Sequence, residues 1–304
     1  MVAGFVLLML VVVGFLGYGW WDSQVGPPHS KAVRVGDTTL NLDLFSRRMK
    51  GFVQDSGLSS SLNSNTFTGI VSILVSVLEQ EILVRERAPV DLGISATADE
   101  VDGEIARRLS VSRDDPALLQ AALQKDRKAR DLSDKEYREM VEASLLTQWV
   151  RDGFIRAAPQ AEDQVRIRQI QVGAQEDADK VVERLNAGED FAAVAKEMSS
   201  DTATKDQGGE KGWVVIEELD PTYAAKVFAL EAGQRGEPLE GQGGFFIVEV
   251  EEKQAQRPLE DVQRTTVGGR YFSLWMAEQQ TLVLSANYVS SNADKLRWVL
   301  DHVT

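Results

Sequence analysis

Apolar positions recur along this chain at different spacings, and each spacing predicts a different kind of element. Residues 2–21 read VAGFVLLMLVVVGFLGYGWW, with no charged side chain. At 1.5 Å per residue a helix over 1–21 reaches about 31 Å, enough for a hydrocarbon core of about 30 Å. Tyr18, Trp20 and Trp21 stand just before the first charge, Asp22, where an aromatic belt belongs. The bulky end offers no small-x-small cleavage site and no basic residue precedes the run. These features predict an uncleaved transmembrane anchor over 1–21, followed by a linker over 22–31. A second apolar run, residues 67–78 (FTGIVSILVSVL), is shorter, carries hydroxyls and leads into Glu79. It predicts a buried core helix rather than a second span.

Alternating residues around Gly36-Asp37 predict two short strands over 32–45 joined by a tight turn. Helical spacing then holds to Ala158. Thr97 with Glu100, and Ser133 with Glu136, have capping-box spacing. Val101, Ile105 and Leu109 share one helix face, and Tyr137, Val141, Leu145 and Trp149 head a broad apolar stripe. Core packing in a helical domain over 32–158 accounts for the stripe; a sharper reading has part of it line a cradle for unfolded chains. After Arg257 helical character returns, with Pro258 predicted in a first turn. Gly268-Gly269 should weaken or interrupt that helix, at about 1 kcal/mol each relative to Ala. A last amphipathic helix falls in NADKLRWVLDHV, and 257–304 is expected to complete the helical domain.

Between these helices lies a module over 163–253 with strand spacing again. Its predicted order is a strand over 165–172, a helix over 176–187 closed by Gly188, and a helix capped by Asp190. A glycine-marked polar loop follows, then a strand over 213–216, a helix opened by Asp220-Pro221, and a last strand over 244–251. The fold class is α+β: a mostly helical domain and a small antiparallel sheet covered by helices, behind a transmembrane helix.

Composition narrows the chemistry. With 33 basic against 47 acidic side chains the net charge is −14, a poor match for a phosphate backbone, so nucleic acid is not an expected partner. Cysteine is absent, which removes thiolate chemistry and cysteine metal sites. The only histidines, His29 and His302, lie at opposite ends of the chain, so no metal centre is expected. His29 reads as a solvated linker residue and His302 as a helix-surface residue.

Three segments of the module, GEDFAAVAKEMSSDTATKDQGGEKGW, LDPTYAAKVFALEAGQ and EPLEGQGGFFIVEVEE, come in an order and spacing that resembles a parvulin-type peptidyl-prolyl isomerase domain. With an anchor and flanking helices, the chain is similar in architecture to membrane-anchored PrsA, SurA and PpiD foldases. The resemblance implies isomerisation of X–Pro bonds in unfolded or nascent secreted or membrane proteins. It also implies no cofactor, and a single-pass protein with its bulk outside the cytoplasm. It places Leu219, Tyr223, Phe246 and Lys211 at substrate-binding positions, and Gln169 and Thr202 at catalytic ones. Gln169 and Phe246 stand where the family carries histidines, Thr202 where it carries Cys or Asp, and Lys211 where it often carries leucine. Gln169 and Thr202 can still hydrogen-bond, whereas Phe246 cannot. Three functions stay open: an isomerase and chaperone, a peptide-binding chaperone with a degenerate isomerase domain, or an accessory subunit of a membrane protein complex.

Overall fold

A computed structural model describes residues 26–57 and 64–303, and the anchor expected over 1–21 lies outside them. A helical turn at Gly26–His29 precedes β1 (Lys31–Val35) and β2 (Thr38–Asn41). Helices α1 (Leu42–Asp55), α2 (Ser64–Arg87), α3 (Ala98–Arg108), α4 (Pro116–Ala129) and α5 (Asp134–Ala157) follow. Then come β3 (Ala161–Val172), α6 (Gln175–Asn186), α7 (Phe191–Met198), β4 (Glu210–Val214), α8 (Ala224–Ala229), β5 (Leu239–Gly241) and β6 (Gly244–Pro258). The chain ends with α9 (Asp261–Leu282), β7 (Ser285–Asn287) and α10 (Ala293–Val303). Two compact units result: 151–273, and the remaining described residues.

In the first unit β1 is flanked by β2 and β7, both antiparallel to it. Gly36, at φ +55°, makes the β1–β2 turn. The second strand is shorter than its alternation suggested. Asn41 accepts a hydrogen bond from the Leu44 amide at 2.9 Å, and this cap starts α1 at Leu42. Both capping boxes form. Thr97 N–H donates to Glu100 Oε2 at 2.8 Å and Glu100 N–H to Thr97 Oγ at 3.3 Å; Ser133 and Glu136 repeat the exchange at 2.8 and 3.2 Å. Glu136 is also clamped by Arg47, whose hydrogen bond lowers its carboxyl to about 2 against the opposing effect of burial. Val101, Ile105, Tyr137, Val141 and Leu145 are buried, so those positions are core. In α2, Phe67, Ile70, Val71, Leu74, Val75 and Leu78 are buried as well. The stretch Phe67–Leu92 is long and apolar enough to cross a membrane, but half of its most apolar window is packed inside this unit.

In the second unit a four-stranded antiparallel sheet runs β4-β3-β6-β5. Successive residues of a strand face opposite ways, and β3 and β6 use this to build two cores. Ile170, Val172 and Ile247 meet Ala178, Val181 and Leu185 of α6 and Phe191, Val194 and Ala195 of α7. On the other face Val165, Ile167, Phe246, Val248 and Val250 meet Leu219, Tyr223, Ala224 and Val227. Asp190 caps α7 by accepting from the Ala193 amide at 2.9 Å, as its position predicts.

Three local expectations need correction. Pro258 closes β6 instead of opening a helix; a proline at a strand's end forfeits no interior ladder bond. Asp220 organises a turn, with α8 starting only at Ala224, because its carboxylate accepts from Thr222 and Gln242 and is not spent on a helical amide. Gly268-Gly269 does not interrupt α9. A Cβ on Gly268 would lie 2.4 Å from Ile155 Cα, so the glycine lets α5 and α9 approach backbone to backbone. The start of α9 is locked to the sheet by a buried amide pair. Gln263 Nε2 donates to Trp213 O at 3.1 Å and Gln164 Oε1 at 3.2 Å, and Gln164 Nε2 donates to Arg257 O at 3.1 Å.

Candidate functional site

The site grows from the β3 register. Gln169 sits directly opposite Val248, and Gln171 opposite Phe246, so Gln169 and Phe246 are diagonal neighbours on one sheet face. Gln169 is 5% exposed, and its backbone N–H donates to Gly209 O at 2.8 Å. Gly209 has φ +83°, and a Cβ there would fall 2.5 Å from Gln169 O. Only glycine lets this loop lie against the strand.

The segment before that loop is stitched to β3. Ser199 Oγ accepts from the Gln171 and Asp201 amides, each at 3.2 Å. Asp201 Oδ2 accepts from Gln169 Nε2 at 2.9 Å and from Thr204 Oγ at 2.7 Å, while its Oδ1 accepts from the Ala203 amide at 3.0 Å. Burial pushes the Asp201 carboxyl up, but the donors Gln169, Thr204 and Ala203, with the charge of Lys211, outweigh it and hold the carboxyl below its ordinary range. An ionised Asp201 fixes the Gln169 amide, since the reverse orientation would point oxygen at carboxylate. Gln169 Oε1 is thereby turned away, buried and without a hydrogen-bond partner.

Beside this polar centre stands an aromatic wall. The Tyr223 and Phe246 rings lie 5.1 Å apart at 39°, with Leu219 in the same buried cluster. Gly241 makes room for the tyrosine: a Cβ would come within 2.8 Å of Tyr223 Cε1. Asp220 Oδ2 accepts from the Gln242 amide at 2.8 Å and holds the β5–β6 turn next to that ring. Burial, with the charge of Asp220, pushes the Tyr223 hydroxyl up.

Of the residues singled out from sequence, Gln169, Leu219, Tyr223 and Phe246 fall on this face. Lys211 is exposed and acts on the centre through its charge. Thr202 is exposed, and the buried hydroxyl of the centre belongs to Thr204. Asp201 and Thr204 were missed as a pair. Their signal is an Asp three residues before a Thr in a polar loop, the spacing of a side-chain-closed turn. Among the described residues no cluster of His, Asp or Glu could hold a metal ion.

The amide of Gln169, held by the Asp201–Thr204 turn, thus lies beside an aromatic wall made by Tyr223, just before α8, and by Phe246 of β6. Residues 159–254 match the family model of the PPIC-type PPIase domain. This segment is a parvulin-type domain. The foldase protein PrsA of Caldanaerobacter subterraneus subsp. tengcongensis is 38% identical over 101 residues, 33% of either chain. The periplasmic chaperone PpiD of Haemophilus influenzae is 36% identical over 113 residues, 34% of this chain and 18% of that protein. A crystal structure of PrsA from Bacillus anthracis aligns with 74% of this chain and 93% of its own, at 15% identity and a TM-score of 0.46. The chain spans less than half the length of the curated relatives it matches. Within the parvulin domain Gln169 and Phe246 stand at the two strand positions where the resemblance led us to expect histidines.

Proposed function

We propose that the chain is a membrane-anchored foldase of the PrsA and PpiD type, whose parvulin domain binds and isomerises X–Pro bonds of unfolded secreted or membrane proteins. The observation that carries this reading is the aromatic wall of Tyr223 and Phe246 set diagonally from Gln169, whose Oε1 is a buried free acceptor. A proline ring against the wall would bring the amide N–H that follows it within reach of such an acceptor.

The reaction breaks no covalent bond. Rotation about the X–Pro bond meets a barrier of about 18–20 kcal/mol, because twisting removes amide resonance. A site accelerates it by holding the twisted amide better than the planar one. An apolar wall does so by desolvating a carbonyl that loses polarity as it twists, and an anchored N–H fixes one end while the other turns. No step asks for a metal or a redox group. The exposed Thr202 hydroxyl is a donor on the same loop, and in this reading it meets the prolyl nitrogen as that becomes an acceptor.

A second reading, binding without catalysis, is favoured by Phe246, which can neither donate nor accept at a position where we expected a histidine. Placement outside the cytoplasm is supported by the apolar residues 1–21 and by the word periplasmic in the name of the PpiD relative. Exchange NMR on an Ala-Pro peptide with the full chain in detergent tests the proposal. Faster cis–trans exchange that disappears in Tyr223→Ala supports an isomerase. Binding with unchanged exchange leaves the peptide-binding chaperone. Neither binding nor exchange rejects both and directs attention to a fixed partner in a membrane complex.

A further inference from the structure

Behind Leu219 lies a groove that none of the residues discussed so far explains. It measures about 330 Å³, at the small end of the roughly 300–1,000 Å³ typical of ligand pockets. Ile216, Leu219, Pro221 and Ala225 make its apolar surface, and Glu217 and Arg270 are its charged lining. Leu219 belongs to this groove and to the buried cluster with Tyr223 and Phe246 alike, so the two sites share a wall.

The charged pair is unusual for what it does not do. Arg270 is exposed and forms no hydrogen bond or ion pair among the described residues. Glu217 Oε2 is buried and lacks a hydrogen-bond partner. The two line one groove yet are not bridged, even though most of the arginines in this chain are clamped by carboxylates, as Arg47, Arg130 and Arg184 are. A buried oxygen left unsatisfied is destabilising unless something else supplies a donor. Arg270 is also not loosely placed: α9 is pinned to the sheet at Gln263, two turns earlier, and packed at Gly268.

We infer that this groove is a second peptide subsite, which takes the extended client chain beside the proline and favours an acidic side chain there. An extended backbone carries an N–H for the Glu217 oxygen, its apolar side chains suit Ile216 and Pro221, and a client carboxylate answers the free guanidinium of Arg270. The continuity through Leu219 is why the occupant is the chain flanking a proline in the adjoining pocket. The inference therefore rests on the peptide-binding reading above and adds to it a preference that the proline pocket alone does not give.

The test uses the full chain in detergent and three fluorescein-labelled probes. One is a short Ala-Ala-Pro-Ala peptide, and two are longer peptides extended on both sides of that core with leucine and either glutamate or lysine. Fluorescence anisotropy reads the affinities. The glutamate probe should bind more tightly than the lysine probe by about fivefold, the size of a favourable exposed charge pair. Arg270→Glu should reverse that order, which a merely structural role of this exposed residue would not do. Glu217→Gln should weaken both long probes against the short one. Equal affinity for the two long probes, or a preference that survives Arg270→Glu, overturns the subsite. Tyr223→Ala separates the two ideas. If it removes binding of the short probe and Arg270→Glu changes nothing, the proline pocket stands and the groove falls. If no chain binds the short probe while the Arg270-dependent preference persists, the groove stands and the proline pocket falls.

Discussion

The two faces of the four-stranded sheet are made by alternate residues of the same two strands, yet they are finished differently. Toward α6 and α7, Ile170, Val172 and Ile247 close against Val181, Phe191 and Val194, with the Arg168 guanidinium 4.5 Å over the Phe191 ring at the margin. On the opposite face the apolar run of Ile167, Val248 and Val250 stops at Gln169, where an amide is buried with its oxygen unmatched. A few ångströms of β3 thus separate a layer closed by two helices from one that holds an unmatched amide oxygen. On the proposed function, stability and recognition are divided between the faces, and this division can be attacked from either side.

The largest effect should come from the closed face. Ile170→Ala removes a fully buried side chain from between the sheet and its helices, and a loss of about 2–5 kcal/mol is expected for such a truncation. Hydrogen exchange at the β3 and β6 amides would report it. The fraction that remains folded should bind a proline peptide as the wild type does. An equal loss of affinity per folded molecule would mean that the two faces are not separable.

On the open face the expected cost is smaller and depends on pH. Asp201→Asn replaces an ion that accepts from Gln169, Thr204 and Ala203 with a neutral group, which should cost about 1–3 kcal/mol. It also releases the Gln169 amide to turn over. Because the folded carboxyl is held below its ordinary value, its stabilisation is complete above the unfolded-state pKa of about 3.9 and is lost as pH falls through the lower folded value. Protection of the β3 amide at Gln169 should therefore weaken below about pH 4 in the wild type, and that component should be missing in Asp201→Asn. A variant with the same acid profile as the wild type would show that Asp201 does not hold this face.

What could be read from the sequence follows the range of each interaction. Asp190, Thr97 with Glu100, and Ser133 with Glu136 act within one helical turn, and their spacing alone was enough. The anchor expected over 1–21 is equally local, although it falls outside the described residues. Gly268 was misjudged because its reason lies on another helix: what reads as a breaker is the space that Ile155 needs. Strand β7 went unanticipated because Ser285–Asn287 has no alternation of its own and is a strand only through pairing with β1. In the site, Leu219 and Tyr223 came with the parvulin resemblance, because apolar walls are made by residue type, and Phe246 came as a departure from it. The Asp201–Thr204 turn did not, because its meaning depends on a hydrogen bond to Gln169 on a strand that precedes it by two helices.

The smallest structural effect belongs to Thr202, and it bears most directly on whether the open face does chemistry. Its side chain is exposed, and Thr202→Ala should leave stability within about 0.5 kcal/mol of the wild type. The Gln169–Asp201–Thr204 cluster should stay intact, because none of its hydrogen bonds passes through Thr202. If the hydroxyl meets the prolyl nitrogen only when the amide is twisted, its removal lowers the exchange rate of an Ala-Pro peptide and leaves the affinity unchanged, since an interaction made only in the transition state appears in the rate alone. If affinity and rate fall together, Thr202 is part of the binding surface. If neither changes, catalysis on this face rests on the aromatic wall and the fixed Gln169 oxygen, and the site works by desolvation and anchoring alone.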